Sequence, residues 1–164
     1  MGTRLLSEHV IKKHYPALRY VRVHTDGKYS AAVYAWNDDL TLPEQDAIGL
    51  KRFISGYLLS HVCYKIKEYH MVQADGVPVI HEVPEIVRNA AMRRSLNQHG
   101  IIEIMNRMFP SGRLTYDRYD ARTATIHFHM ESSAPLQEWE KESIDRCLYE
   151  MIPIGTFCTV AYNA

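Results

Sequence analysis

The sequence lacks most of what announces a function. It has no run or stripe of basic residues: 19 Lys and Arg are balanced by 19 Asp and Glu. Binding to nucleic acid or to an anionic membrane through bulk charge is therefore disfavoured. It has no apolar run near the roughly 20 residues a bilayer requires. The first residues, MGTRLLSEHVIKKHYP, hold no hydrophobic core of the length of a secretory signal. Met1-Gly2-Thr3 opens like a myristoylation site, but Leu6 stands where Ser or Thr is wanted. Cysteine is scarce: Cys63, Cys147 and Cys158 are far apart, without metal or disulfide spacing. Each sits in an apolar context, so the expectation is three core thiols in a reducing compartment. No phosphate-binding glycine loop, nucleophile elbow or His-Glu-x-x-His helix occurs.

What is present is architecture, clearest at the C-terminal end. Ala124, Ile126, Phe128 and Met130 alternate with Thr125, His127 and His129, the period of a half-buried strand. Arg113 to Tyr119 alternates too, and Asp120-Ala121-Arg122 suits a hairpin turn. Ser132 or Ser133 is positioned to cap a helix with Pro135 in its first turn. Its apolar face comprises Leu136, Trp139, Ile144, Cys147, Leu148 and Met151. Pro153 and Gly155 stop it, and Thr156 to Tyr162 returns as a strand. Strand, helix, strand is a crossover, which makes the two strands parallel. The helix is expected over the face carrying Ile126 and Phe128.

Earlier in the chain, residues 1 to 15 predict a short helix with Leu5, Val10 and Ile11 inward and Glu8, Lys12 and Lys13 outward. Arg19–His24 and Lys28–Trp36 predict a hairpin through Thr25-Asp26-Gly27. One face is small (Ala31, Val33, Ala35) and the other carries Tyr34 and Trp36. Such a hairpin is marginal alone, so it should join the C-terminal sheet or dock on a partner. Thr41-Leu42-Pro43-Glu44 reads as a capping box, opening a helix whose stripe from Leu50 runs to about Tyr69. Gly49 and Gly56 within it suggest close approach of another element. Pro84 opens a helix over about Glu85 to Gln98, broken at Gly100, with a second over Ile101–Phe109. No internal repeat is visible. The expected fold is a single α+β domain, residues 1-164: a small mixed sheet with a C-terminal ββαβ unit, a helical middle section and an N-terminal β-hairpin. Its sub-parts are 1-40 helix and hairpin, 41-110 helical, and 111-164 ββαβ.

His127 and His129 are the metal candidates, since i and i+2 on a strand share a face and neutral imidazoles suit zinc. No further ligand stands at metal spacing, and an exposed polar strand face accounts for them equally. His24-Thr25 does not complete a two-histidine phosphodiesterase pattern. Cys63 with His61 or His70 invites a nucleophile, but helical spacing would point 61 and 63 apart. The load of 11 tyrosines and two tryptophans is of the kind found at protein contacts. Tyr29, Tyr34, Trp36, Tyr116, Tyr119 and Tyr162 are strand positions able to face a neighbour.

From Pro84 to Tyr162 the order is helix, break at Gly100, helix, RLTYDRY, TATIHFHM, amphipathic helix, then Ile152-Pro153-Ile154-Gly155 and a strand rich in Val and aromatics. This resembles the closing part of baseplate-wedge and tail protein I-like proteins of contractile-tailed bacteriophages. Ile152 stands where those relatives often carry a basic residue. The resemblance implies a structural virion component, assembled in the host cytoplasm with other tail or baseplate proteins, with no catalytic residues, no cofactor, and no nucleic-acid or membrane partner. The alternatives are a small metal-dependent hydrolase using His127 and His129, and a stand-alone binding or inhibitor protein of a host factor.

Overall fold

A computed structural model describes residues 2–58, 61–79 and 81–163. In chain order the elements are α1 (Arg4–His14), β1 (Tyr20–Gly27), β2 (Ser30–Trp36), α2 (Glu44–Tyr57), β3 (Cys63–Lys67), α3 (Tyr69–Ala74), α4 (Glu85–Ala91), α5 (Gln98–Met108), β4 (Gly112–Asp120), β5 (Thr125–Ser132), α6 (Glu138–Met151) and β6 (Phe157–Asn163). The class is α+β, with two three-stranded sheets in the orders β1-β2-β3 and β4-β5-β6. In each, an antiparallel hairpin is joined by a third, parallel strand that returns after a helix.

The closing ββαβ unit follows its sequence. Ile126, Phe128 and Met130 pack under α6 with Ile144, Cys147, Leu148 and Met151. Its cap differs: Ser132 extends β5, and Gln137 with Glu140 forms a reciprocal capping box. Trp139, placed on the inner face by spacing, is 66% exposed, because it lies in the first turn, ahead of the part of α6 that reaches the sheet.

The middle departs most. The stripe expected as one helix to Tyr69 is α2, then β3, then α3. Val62 and Tyr64 are buried against the first sheet rather than on a helix face. An apolar residue at every third or fourth position also fits a helix, a turn and a short strand in succession. β3 pairs in parallel with β2, so the hairpin belongs to a first sheet of its own rather than to the C-terminal one. Its turn tip is Lys28-Tyr29, with a register shift between Thr25 and Gly27. Thr41 does not cap α2. Asn37 Oδ1 takes the Thr41 hydroxyl and amide in a local turn, and Pro43 is the N-cap without a side-chain bond. Of the two glycines, a Cβ on Gly49 would lie 3.2 Å from the Tyr15 hydroxyl, whereas Gly56 faces open space. Gly100 is no break: Asn97 caps α5 and accepts the Gly100 N–H.

The architecture contains a duplication that the sequence hides. The set α1-β1-β2-α2-β3 recurs as α5-β4-β5-α6-β6. The helices start 94 positions apart (4 to 98, 44 to 138) with equal lengths, 11 residues for α1 and α5 and 14 for α2 and α6. The third strands start at 63 and 157. Thr3 and Asn97 both cap through the side chain onto the N–H three residues on. Tyr15 and Phe109 end α1 and α5 with the same backbone angles, φ -122 and ψ 72, each followed by proline (Pro16, Pro110). Each second strand follows a residue in the left-handed region, Tyr29 (φ 49) or Ala124 (φ 53). That residue's carbonyl accepts the first N–H of the third strand, from Cys63 or Phe157. The helical middle segment thus reduces to α3 and α4 as a connector between repeats.

The repeats bury separate clusters. One holds Ile11, Val33, Leu50, Phe53 and Ile54; the other holds Met105, Phe128, Ile144, Cys147 and Leu148 at corresponding places. A third, small cluster covers the outer face of the first hairpin. There Trp36 stacks on Tyr20 at 4.0 Å and meets Tyr69 edge-on, while Met71, Val72 and Val77 pack alongside. Tyr34 and Trp36 are therefore turned inward, 1% and 7% exposed, and are not docking residues in this fold.

Candidate functional site

Among the described residues, two places stand out as able to do chemistry or make contacts. The first is the second sheet. One of its faces is core; the other carries His127, His129, Phe157 and Thr159, side by side in register. His127 Nδ1 is 2.7 Å from Thr159 Oγ1, and the Asn163 amide donates to His129 Nε2 at 2.9 Å. Both rings are thus engaged in single cross-strand bonds. Among the described residues, no group of three or more His, Cys, Asp or Glu side chains converges to hold a metal ion.

The edges of this sheet are unequal. On β4, Asn106 from α5 bonds one outward-facing residue: its Oδ1 accepts the Leu114 N–H at 2.7 Å and its Nδ2 donates to the Leu114 carbonyl at 3.2 Å. Among the described residues no side chain bonds the outer edge of β6 in this way. The Phe157 N–H donates inward to Ala124, so by strand periodicity the backbone groups of Cys158, Val160 and Tyr162 point away from β5. Phe157 is 41% exposed. Of the other tyrosines, Tyr116 and Tyr119 are exposed, and Tyr29 and Tyr162 half-buried. The Tyr29 and Tyr119 hydroxyls bond to each other, tying the two hairpins together. Burial, with that bond next, pushes Tyr119 up to about 12. Burial and then Asp145 raise Tyr162 as well.

The second place is a cleft of about 560 Å³ where the repeats meet. β1 supplies Arg22 and His24, α1 supplies Arg4, and α6 supplies Asp145, Arg146, Cys147, Tyr149 and Glu150. The apolar wall is Pro78, Val79, Val83, Pro84, Met108 and Phe109, with His81 and Glu82 between. Arg4 is engaged: Nη1 meets both Glu8 oxygens at 2.9 and 3.0 Å, and Nη2 is 2.8 Å from Glu150. Glu8 Oε1 also accepts the Val23 N–H at 2.9 Å. Glu8, expected outward, is therefore drawn in to satisfy the β1 edge, and burial pushes its carboxyl up despite Arg4. His24 Nδ1 lies 3.2 Å from the Tyr149 hydroxyl. Burial, then Arg22, lowers His24 below the usual histidine range. Arg22 differs from Arg4. It is 6% exposed, its Nε is buried without a hydrogen-bond partner, and among the described residues no carboxylate lies within ion-pair distance. Sequence reasoning saw Arg22 only as the polar side of an alternating strand. The available signal was an arginine between two valines, the three buried positions of β1.

No protein-family model matches this chain, and no curated protein does. The geometry also separates the three thiols. Cys63 is exposed on β3 rather than buried in a helix. Cys147 is buried, and its thiol is raised by burial and then by Glu150. Burial pushes Cys158 up to about 12. Since the thiolate is the reacting form, we expect one fast thiol in the native protein and three in denaturant. A disulfide-exchange reagent followed by absorbance, with peptide mapping, checks this; rapid labelling of Cys147 or Cys158 would contradict the packing. Among the described residues no helix is long and apolar enough to cross a membrane.

Proposed function

We propose that the chain is a structural component of a bacteriophage tail or baseplate assembly, working through protein–protein contact. The observation that carries this reading is the uncovered β6 edge. Three successive outward-facing backbone positions, flanked by the exposed Phe157, are the template to which an extended segment of a neighbouring protein adds as a fourth strand. On β4, Asn106 already bonds both backbone groups of Leu114, which favours β6 as the docking edge of this sheet. The resemblance of the Pro84–Tyr162 segment to baseplate-wedge proteins supports the same reading and supplies the class of partner.

The test is gradient sedimentation from the native source with mass spectrometry of the peak. Co-migration with tail or baseplate proteins in a large particle is the expected result. A chain running alone near 19.0 kDa, or with one host protein, would overturn the virion reading. The Phe157→Glu, Thr159→Glu pair supplies a directed variant. Both side chains are exposed on the sheet face beside the β6 edge, so stability should change by only about 1 kcal/mol, while incorporation into the particle is lost. Normal incorporation would remove β6 from the interface.

A further inference from the structure

We infer that the cleft between the repeats is a binding site for a small organic monocarboxylate with an apolar body, its carboxylate seated on Arg22. This is independent of the assembly reading, which uses the β6 edge.

Three observations carry it. Arg22 is a guanidinium with over nine-tenths of its surface removed from solvent, its Nε without a partner, lining a cleft. A buried charge without a counter-charge is costly, and a buried donor left unbonded costs about 1–3 kcal/mol. A carboxylate supplies both the charge and the acceptor oxygens that a guanidinium fork matches. The cleft also has the size and lining of a ligand site, about 560 Å³ with a wall of Pro78, Val83, Pro84, Met108 and Phe109. An ion alone would leave that wall wet, so the ligand carries an apolar body.

The carboxylates around the cleft favour a ligand of low negative charge. Arg4 is already consumed by Glu8 and Glu150. Arg146 shares the cleft with Asp145 and Glu82, which repel a second negative charge. Arg22 is thus the cleft guanidinium with neither an ion-pair partner among the described residues nor a bond at its Nε, and the surrounding carboxylates weigh more heavily against a dianionic phosphate than against a monoanion. His24 and Tyr149 already share a hydrogen bond beside Arg22, and the tyrosine hydroxyl can turn to donate to the second carboxylate oxygen.

The experiment is calorimetric titration of the full chain with three probes of equal chain length: octanoate, octanamide and octyl phosphate. Two-dimensional NMR with octanoate locates the site. Octanoate is expected to bind, at least tenfold more tightly than octanamide and more tightly than octyl phosphate. Its shifts should cluster at Arg22, Val83, Cys147 and Tyr149. In Arg22→Gln the preference for acid over amide should vanish. Equal binding of acid and amide, tighter binding of the phosphate, shifts centred elsewhere, or no octanoate binding would each overturn the assignment. If Arg22→Gln fails to fold, the acid–amide comparison and the shift map on the unaltered protein still decide.

Discussion

Replacing Arg4 by methionine is expected to destabilise the protein by about 3–5 kcal/mol, measured by urea unfolding at pH 7. Arg4 is 6% exposed and holds two carboxylates, Glu8 and Glu150, each with a side chain only 13% exposed. Removing the cation leaves two negative charges close together in a dry place, which costs far more than the ion triad contributes when whole. The sign of the pH response follows. Burial already raises Glu8 above the usual carboxylate range with Arg4 present, and without the cation that rise must grow. A carboxyl whose folded pKa lies above its unfolded value is protonated more readily when folded. The variant should therefore regain stability as pH falls from 7 towards 5. Combining Arg4→Met with Glu8→Gln and Glu150→Gln should recover most of the loss, since glutamine at position 8 still accepts the Val23 N–H. A loss under about 1 kcal/mol for Arg4→Met, or no recovery on acidification, would show that the triad is hydrated and carries little.

The triad also shows why part of this fold was legible and part was not. Strand β5 and helix α6 announce themselves because each has one dry face, and β6 because half-buried and exposed positions alternate along it. Alternation at Ile126, Phe128 and Met130, and helical spacing from Ile144 to Met151, therefore have only one solution. β2 is buried on both faces, and Glu8 is drawn inward by a strand edge rather than by any property of its own helix. No local period records either fact. The long helix expected to reach Tyr69 fails for a related reason. Val62, Tyr64 and Ile66 alternate over too few residues to outweigh the helical stripe before them, and only the pairing of β3 with β2 decides.

The duplication was invisible for a different reason: what repeats is burial and backbone geometry, not residue identity. Leu50 answers Ile144, Phe53 answers Cys147, Ile54 answers Leu148, and Val33 answers Phe128. Few positions match outright at this spacing, among them Pro16 with Pro110 and Arg19 with Arg113. Volume-conserving apolar exchange is well tolerated in cores, so two copies can keep one fold while their letters diverge. The left-handed residues Tyr29 and Ala124 carry no recognisable signature, since neither is the glycine or asparagine that such a backbone favours. The cleft escaped notice on the same grounds. It is assembled from β1, α1, α5 and α6, so Arg22 gains meaning only once α6 lies across it.

Gly155→Ala is the second substitution expected to act strongly, by about 2–5 kcal/mol, lowering the melting temperature by roughly 5–15 °C for a domain of this size. Gly155 lies at φ +80, where an L side chain is strained. A Cβ there would also stand 3.0 Å from Tyr29 Cα and 3.3 Å from Val62 Cγ2. The turn that holds it, Pro153-Ile154-Gly155, is the joint between the repeats. The Gly155 carbonyl accepts the Tyr29 N–H at 2.8 Å, its N–H donates to Thr25 Oγ1 at 2.9 Å, and the Ile154 N–H donates to the Gly2 carbonyl at 2.9 Å. Tyr29 is backbone at the point of contact, so it cannot swing aside as a side chain would. Gly76→Ala separates the two causes. Gly76 has a similar φ of +63 but nothing within 4 Å of a Cβ, so it should lose only the conformational part, about 1–2 kcal/mol. Thermal melts of both variants give the comparison. A clear excess for Gly155→Ala measures how tightly the second repeat is pressed onto the first hairpin; equal losses would mean that the joint yields, and that the repeats are held by the Arg4 triad and the Tyr149–His24 contact instead.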